Sequence, residues 1–148
     1  MDLTKTYPRS VKDKIAGVVM LARTTDKAKG KVAGTIGEYH YNCPMDQAVL
    51  GFLGIDHEKF LDTVKNAKSD ADIEAYAKTF AAKKSADEIA SFNSNFLGYK
   101  PEPGSDGEKF FYELRGKVAP DRTDVTAWPD LLDLDEKRDV PRRTPVAH

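Results

Sequence analysis

The chain has 148 residues, with 23 basic and 24 acidic side chains and a formal net charge of -1. That length suits one domain able to bury roughly 68 to 70% of its unfolded surface without a disulfide or metal, and the balanced charge argues against non-specific nucleic-acid binding, which needs a basic excess. A single cysteine excludes an internal disulfide, and no charged and apolar leader pattern opens the chain. The longest apolar stretch, residues 15–22, falls far short of the roughly 20 residues that cross a bilayer. The expected protein is cytoplasmic and not embedded in a membrane.

From Ser10 the apolar residues Val11, Ile15, Val18, Val19 and Ala22 recur at helical spacing, with Lys12, Asp13 and Lys14 between them. This predicts a first helix running from Ser10 past Lys27. Gly30, Gly34 and Gly37 interrupt the pattern, and the polar segment GEYHYNCPMD, residues 37–46, reads as a loop. Pro44 suits the first position of a second helix that carries Ala48, Leu50, Phe52 and Leu53 and stops near Gly54. Asp56 then caps a third, with Phe60, Leu61 and Val64 facing inward.

SDADIEAYAKTF from Ser69 is echoed by SADEIASFNSNF from Ser85. Ser69 with Asp72 and Ser85 with Glu88 stand at capping-box spacing, Asp72 being the shorter variant. Ile73, Tyr76 and Phe80 answer Ile89, Phe92 and Phe96, so each helix carries one apolar stripe, and an antiparallel hairpin is the simplest way to bury both. Two copies fall short of a solenoid, which needs about three. Phe110, Phe111, Leu114 and Val118 mark a further helix ended by Pro120, and TAWPDLLDL a last short one. The tail KRDVPRRTPVAH holds two prolines and four basic side chains with little to bury, which predicts an extended or disordered arm over residues 138–148. No period-two run is long enough to predict a strand.

Asp26 and Lys29 fall on the stripe formed by Val11, Ile15, Val18 and Ala22. A charge on a core-facing stripe must be paired or must lose its charge, and Arg23 lies at i-3 from Asp26. Either the helix has run past the core into water there, or Arg23, Asp26, Lys27 and Lys29 line a polar pocket. Cys43 precedes Pro44, so its thiol stands at the amino end of a helix, where unpaired amides favour a thiolate. His40 is a candidate base, with Glu38 or Asp46 to orient it; the competing reading is a cysteine acting as small apolar filler.

Metal binding finds little support. His40, Cys43, Asp46 and His57 match no zinc signature, and the acidic run Asp130, Asp133, Asp135 and Glu136 reads as an exposed helix face rather than a cation site. The glycines at 30, 34 and 37 fit neither phosphate-loop spacing. In an extended segment Tyr39 and Tyr41 share one side, where two rings beside Arg23 and Lys27 suit a planar or anionic ligand or else cover the core. Trp128 reads as the buried anchor of the last helix.

LARTTDKAKGKVAGTIGEYHYNCPMDQ, then GFLGID, the paired SDADIEAY and SADEIASFN segments, and TDVTAWPDLLDLDEKR together resemble the family known as domain of unknown function 5069. The resemblance runs from about Leu3 to Arg138 and implies no established reaction. It implies that Arg23, Asp26, Lys27, Gly34, Gly37, Glu38, Tyr39, Tyr41, Cys43, Pro44 and Asp46 belong to a recurring pattern. His40 and His57 stand outside that pattern, which weakens a cysteine–histidine mechanism and favours a site between the end of the first helix and the loop.

The expectation is therefore an all-α, compact single domain over residues 1–137, with about six to eight helices, short ones included, and a capped helical hairpin. Its candidate site has Cys43, Asp26 and Glu38 as catalytic groups and Arg23, Lys27, Tyr39, Tyr41 and Asp46 as ligand-binding groups, for a small polar or anionic molecule. Neither a reaction nor a cofactor is specified. The alternative is a non-enzymatic interaction module whose polar residues form an internal network, with a second copy or another protein engaged through the C-terminal arm.

Overall fold

The structure, a computed structural model, describes residues 1–142. The described residues form seven α-helices and one two-stranded ribbon, β1 (Lys14–Ile15) and β2 (Val18–Val19), so the fold is all-helical apart from that ribbon. Contacts divide the chain into two compact units, residues 1–94 and residues 95 onward, a division that falls inside the span expected as one domain. No helix among the described residues is long and apolar enough to cross a membrane.

Residues 10–20 depart from the expected helix. The two strands pair antiparallel, with Lys14 opposite Val19 and Ile15 opposite Val18, across Ala16 and Gly17, whose φ angles are 55° and 79°. Two successive residues at positive φ make the tight turn whose twist matches paired strands, and glycine takes that conformation at little steric cost. Val11, Ile15, Val18 and Val19 are buried all the same. Their apolar character marks them as core in either conformation; a run this short fits either period, and the Ala-Gly turn decides for the ribbon.

The first helix, α1, is thus Leu21–Ala33, closed by Gly34 in the left-handed region with its N–H on the Gly30 and Lys31 carbonyls. It lies against β1, α2 (Pro44–Leu53) and α3 (His57–Asn66). Nine of its thirteen residues are buried, Arg23, Thr24, Thr25, Asp26 and Lys27 among them. The N-terminal segment crosses its far end, where the Leu3 N–H donates to the Thr35 carbonyl at 2.8 Å. Gly30 permits this approach: a Cβ there would stand 3.1 Å from both the Ile36 Cα and the Leu3 Cδ1.

Asp56 caps α3 by accepting from the Lys59 N–H at 3.1 Å. The two echoed helices, α4 (Asp70–Ala81) and α5 (Ala86–Leu97), then differ in detail. Ser85 and Glu88 complete the box reciprocally, at 3.0 and 3.1 Å. The Ser69 side chain makes no capping bond, and the shorter Asp72 accepts instead from the Lys68 N–H at 2.9 Å. α4 buries Ile73, Ala77 and Ala81, leaving the tilted pair Tyr76 and Phe80 half-buried. α5 stacks Phe92 on Phe52 of α2 with ring centroids 4.3 Å apart. Its Asn93 carboxamide accepts from the Val19 N–H at 3.1 Å and donates to the Gly17 carbonyl at 2.9 Å.

In the second unit, α6 (Asp106–Val118) and α7 (Trp128–Asp135) close on a core of Phe111, Val125 and Leu131, with Leu114, Trp128 and Leu134 packed against it. Ser105 caps α6 by accepting from the Glu108 N–H at 3.1 Å. Trp128 is half-buried and meets Phe111 edge-on at 4.9 Å, in keeping with its expected anchoring role. The acidic run is not the exposed face expected of it. Asp130, Asp133 and Glu136 are buried, and Arg138 pairs with Asp133 and Glu136, because a buried carboxylate needs a countercharge. The start of the predicted arm also finds contacts: Val140 is buried, the Pro141 carbonyl accepts from Arg122 at 3.3 Å, and Arg142 pairs with Asp121. Residues 143–148 of that arm lie outside the described residues.

Two glycine substitutions test the tight crossing at the end of α1. Gly51→Ala, in open space on α2, should stabilise the chain by about 0.5–1 kcal/mol through helix propensity. Gly30→Ala should instead destabilise it, because the new methyl meets backbone at Ile36. Urea unfolding of both variants compares the two, and a Gly30→Ala gain equal to that of Gly51→Ala would show that the crossing yields without cost.

Candidate functional site

Polar side chains on a helix buried nearly all round must find partners within the protein. In α1 these residues fall into two i,i+3 pairs on adjacent faces, Arg23 with Asp26 and Thr24 with Lys27, turned about 100° from each other by the helical repeat. Each pair organises its own network.

The first network centres on Asp46 at the third residue of α2. Its Oδ1 accepts from the Thr24 hydroxyl at 2.6 Å, and its Oδ2 accepts from the Lys27 ammonium at 2.7 Å and the Cys43 N–H at 3.2 Å. Asp46 thereby returns to the residue that precedes the helix, as the acidic member of a capping box does. Asn42, at φ 65°, turns the loop so that Cys43 is the N-cap and Pro44 the first helical residue. The Lys27 ammonium also donates to the Cys43 Sγ at 3.2 Å. Lys27 and Asp46 side chains are 6% and 0% exposed, whereas the thiol-bearing residue is half-buried.

The second network centres on Asp26. Its Oδ2 accepts from the Arg9 backbone N–H at 2.8 Å and the Arg9 Nε at 3.0 Å, and its Oδ1 from the Arg9 Nη2 at 3.0 Å. Asp26 thus takes a forked bond from the N-terminal segment, a planar geometry that suits a carboxylate. Burial pushes the Arg9 pKa down, but the Asp26 hydrogen bonds and charge outweigh it and the result is a rise. Arg23 donates to the Arg9 carbonyl at 3.2 Å and lies over the Tyr39 ring at 5.6 Å, a cation–π contact.

The remaining candidates separate. Tyr41 does not join Tyr39: its hydroxyl donates to the His57 carbonyl at 2.7 Å. Burial, then the charges of Asp46 and Asp56, push its pKa well up. Glu38 and His40 are exposed, and among the described residues neither pairs with another side chain. Lys29 leaves the proposed pocket for a partly exposed ion pair with Asp70, and that pair lowers the Asp70 pKa. No three His, Cys, Asp or Glu side chains among the described residues group as a metal site. Sequence reasoning missed Arg9 and Thr24. Thr24 was legible as the i-3 neighbour of Lys27; Arg9, seventeen residues before Asp26, left no signal beyond the need for a countercharge.

Residues 5–138 match the family described as Domain of unknown function (DUF5069), and the chain belongs to it. None of the curated proteins compared with the chain matches it.

Burial of the cationic partner, not of the carboxylate, ranks the two pairs. Asp46→Asn removes the countercharge of an enclosed ammonium and should cost about 3–5 kcal/mol. Asp26→Asn should cost less, because the Arg9 side chain, 36% exposed, can turn towards water. Urea unfolding of the two variants checks the order, and the reverse order would refute it. Tyr41 makes a separate pH prediction. The unfolded phenol ionises near its ordinary value of about 10, while the folded one keeps its proton longer. This group therefore leaves stability unchanged at neutral pH and lowers it as pH rises past about 10. Tyr41→Phe should flatten that alkaline loss while costing about 1 kcal/mol at neutral pH for the lost hydrogen bond. Unfolding free energies from neutral pH upward decide it: curves falling in parallel would assign the loss to other groups.

Proposed function

We propose that the chain binds a small polar or anionic molecule at Cys43, with the thiol as the group that meets it. One observation carries this reading: a half-buried sulfur at the first turn of α2 receives the Lys27 ammonium at 3.2 Å. A thiol beside a cation and the amino end of a helix is the setting in which cysteines attack electrophiles. In this reading Lys27 positions the thiol, and Asp46 fixes both Lys27 and the Cys43 backbone. Arg23 over Tyr39 offers a cation and an aromatic face to an anionic ligand. Asp26 acts at one remove by anchoring Arg9, whose carbonyl holds Arg23, and Glu38 and Tyr41 take no part in the chemistry. A free, reactive thiol also suits a cytoplasmic setting, where cysteines stay reduced.

A second reading draws on a different observation. Among the described residues no buried side-chain nitrogen or oxygen lacks a hydrogen-bond partner, so both networks are complete without a ligand. They would then serve as the internal scaffold of a non-enzymatic interaction module, fixing one unique loop conformation.

Alkylation separates the two, since Cys43 is the only cysteine. Rates with iodoacetate and iodoacetamide are measured on the folded chain and on N-acetylcysteine. A cationic ligand site should raise the ratio of the anionic to the neutral reagent by about tenfold over the free thiol. A folded chain that resists both reagents, or shows the free-thiol ratio, would remove the ligand site and leave the scaffold.

A further inference from the structure

We propose that Lys27 and Cys43 become covalently joined through a single oxygen, Nζ–O–Sγ, when the chain meets a hydroperoxide, so that the pair is a reversible redox switch. The inference uses the geometry of this pair alone and holds whether or not a ligand meets the thiol. The two atoms already stand 3.2 Å apart, a gap that an inserted oxygen nearly spans, whereas a direct nitrogen–sulfur bond would draw α1 and α2 much closer together. Lys27 is enclosed and tied to Asp46 at 2.7 Å, which holds its amine beside the sulfur. Cys43 is half-buried, open enough for a small oxidant, and with no other cysteine in the chain no internal disulfide competes.

The step balances with two hydroperoxide molecules. The first takes the thiol to a sulfenic acid, its O–O bond breaking to leave an alcohol, or water when the oxidant is hydrogen peroxide. The ammonium passes a proton to the Asp46 carboxylate, and the freed amine lone pair takes an oxygen from the second hydroperoxide to give a hydroxylamine. The hydroxylamine oxygen then attacks the sulfenic sulfur, the S–OH bond breaks and water leaves. Sulfur and nitrogen each lose two electrons, and each hydroperoxide gains two. The product carries one oxygen more and two hydrogens fewer than the starting pair, and two equivalents of a dithiol return both residues and one water.

The full chain is treated with hydrogen peroxide, digested and mapped by mass spectrometry, which also sets aside oxidation of its three methionines. The expected product joins the peptides holding Lys27 and Cys43 with a gain of about 14 Da, and dithiothreitol reverses it. Cys43→Ser and Lys27→Arg should both abolish the link, with melting curves confirming that they fold. Should Lys27→Arg fail to fold, the map of the unaltered chain still decides. A gain of about 16, 32 or 48 Da on the Cys43 peptide alone, the ladder of simple thiol oxidation, would overturn the proposal.

Discussion

The enclosure of α1 constrains everything around it. A helix with nine of thirteen residues buried would ordinarily be apolar all round, yet five consecutive positions, Arg23 to Lys27, are polar or charged. Thr25 answers locally, its hydroxyl donating to the Leu21 carbonyl at 2.7 Å. The other four recruit distant segments: residue 9 comes in from the N-terminus, and the first turn of α2 comes in with Asp46. The placement of the 37–46 loop thus follows from the electrostatics of α1 as much as from hydrophobic packing.

The two networks sit in different surroundings. Lys27 and Asp46 are both withdrawn from water, where a charge pair interacts strongly but bears a heavy desolvation cost; the extra donors from Thr24 and Cys43 offset part of it. Arg9 and Asp26 share a forked bond at the surface side, where one partner keeps contact with solvent. One pair is therefore suited to hold a neighbouring sulfur in place, and the other to pin a chain segment. Neither pair contains an isolated charge.

Legibility in the sequence followed the range of the interaction. Caps and stops are local, so Pro44, Gly54, Asp56 and the Ser85 box stand where their spacing put them. The family pattern drew attention to Arg23, Asp26, Lys27, Cys43 and Asp46, and all but Cys43, which is half-buried, prove buried. The ribbon is hard to read from sequence because the apolar residues Val11, Ile15, Val18 and Val19 stand at a spacing that also fits a helix, and the turn at Ala16 and Gly17 is a weak contrary sign. The partner of Asp26 was illegible for another reason: an ion pair across seventeen residues depends on how the N-terminal segment crosses α1, and no pattern in the sequence records that crossing.

Asn93 gives the short ribbon a property its size would otherwise deny it. A strand edge exposes amide and carbonyl groups that any passing extended chain can use, which is how sheets recruit unwanted partners and grow into aggregates. Here one carboxamide from α5 occupies the Val19 N–H and the Gly17 carbonyl together, imitating the backbone of a third strand with a single side chain. Those two groups are thereby withdrawn from pairing with any further strand.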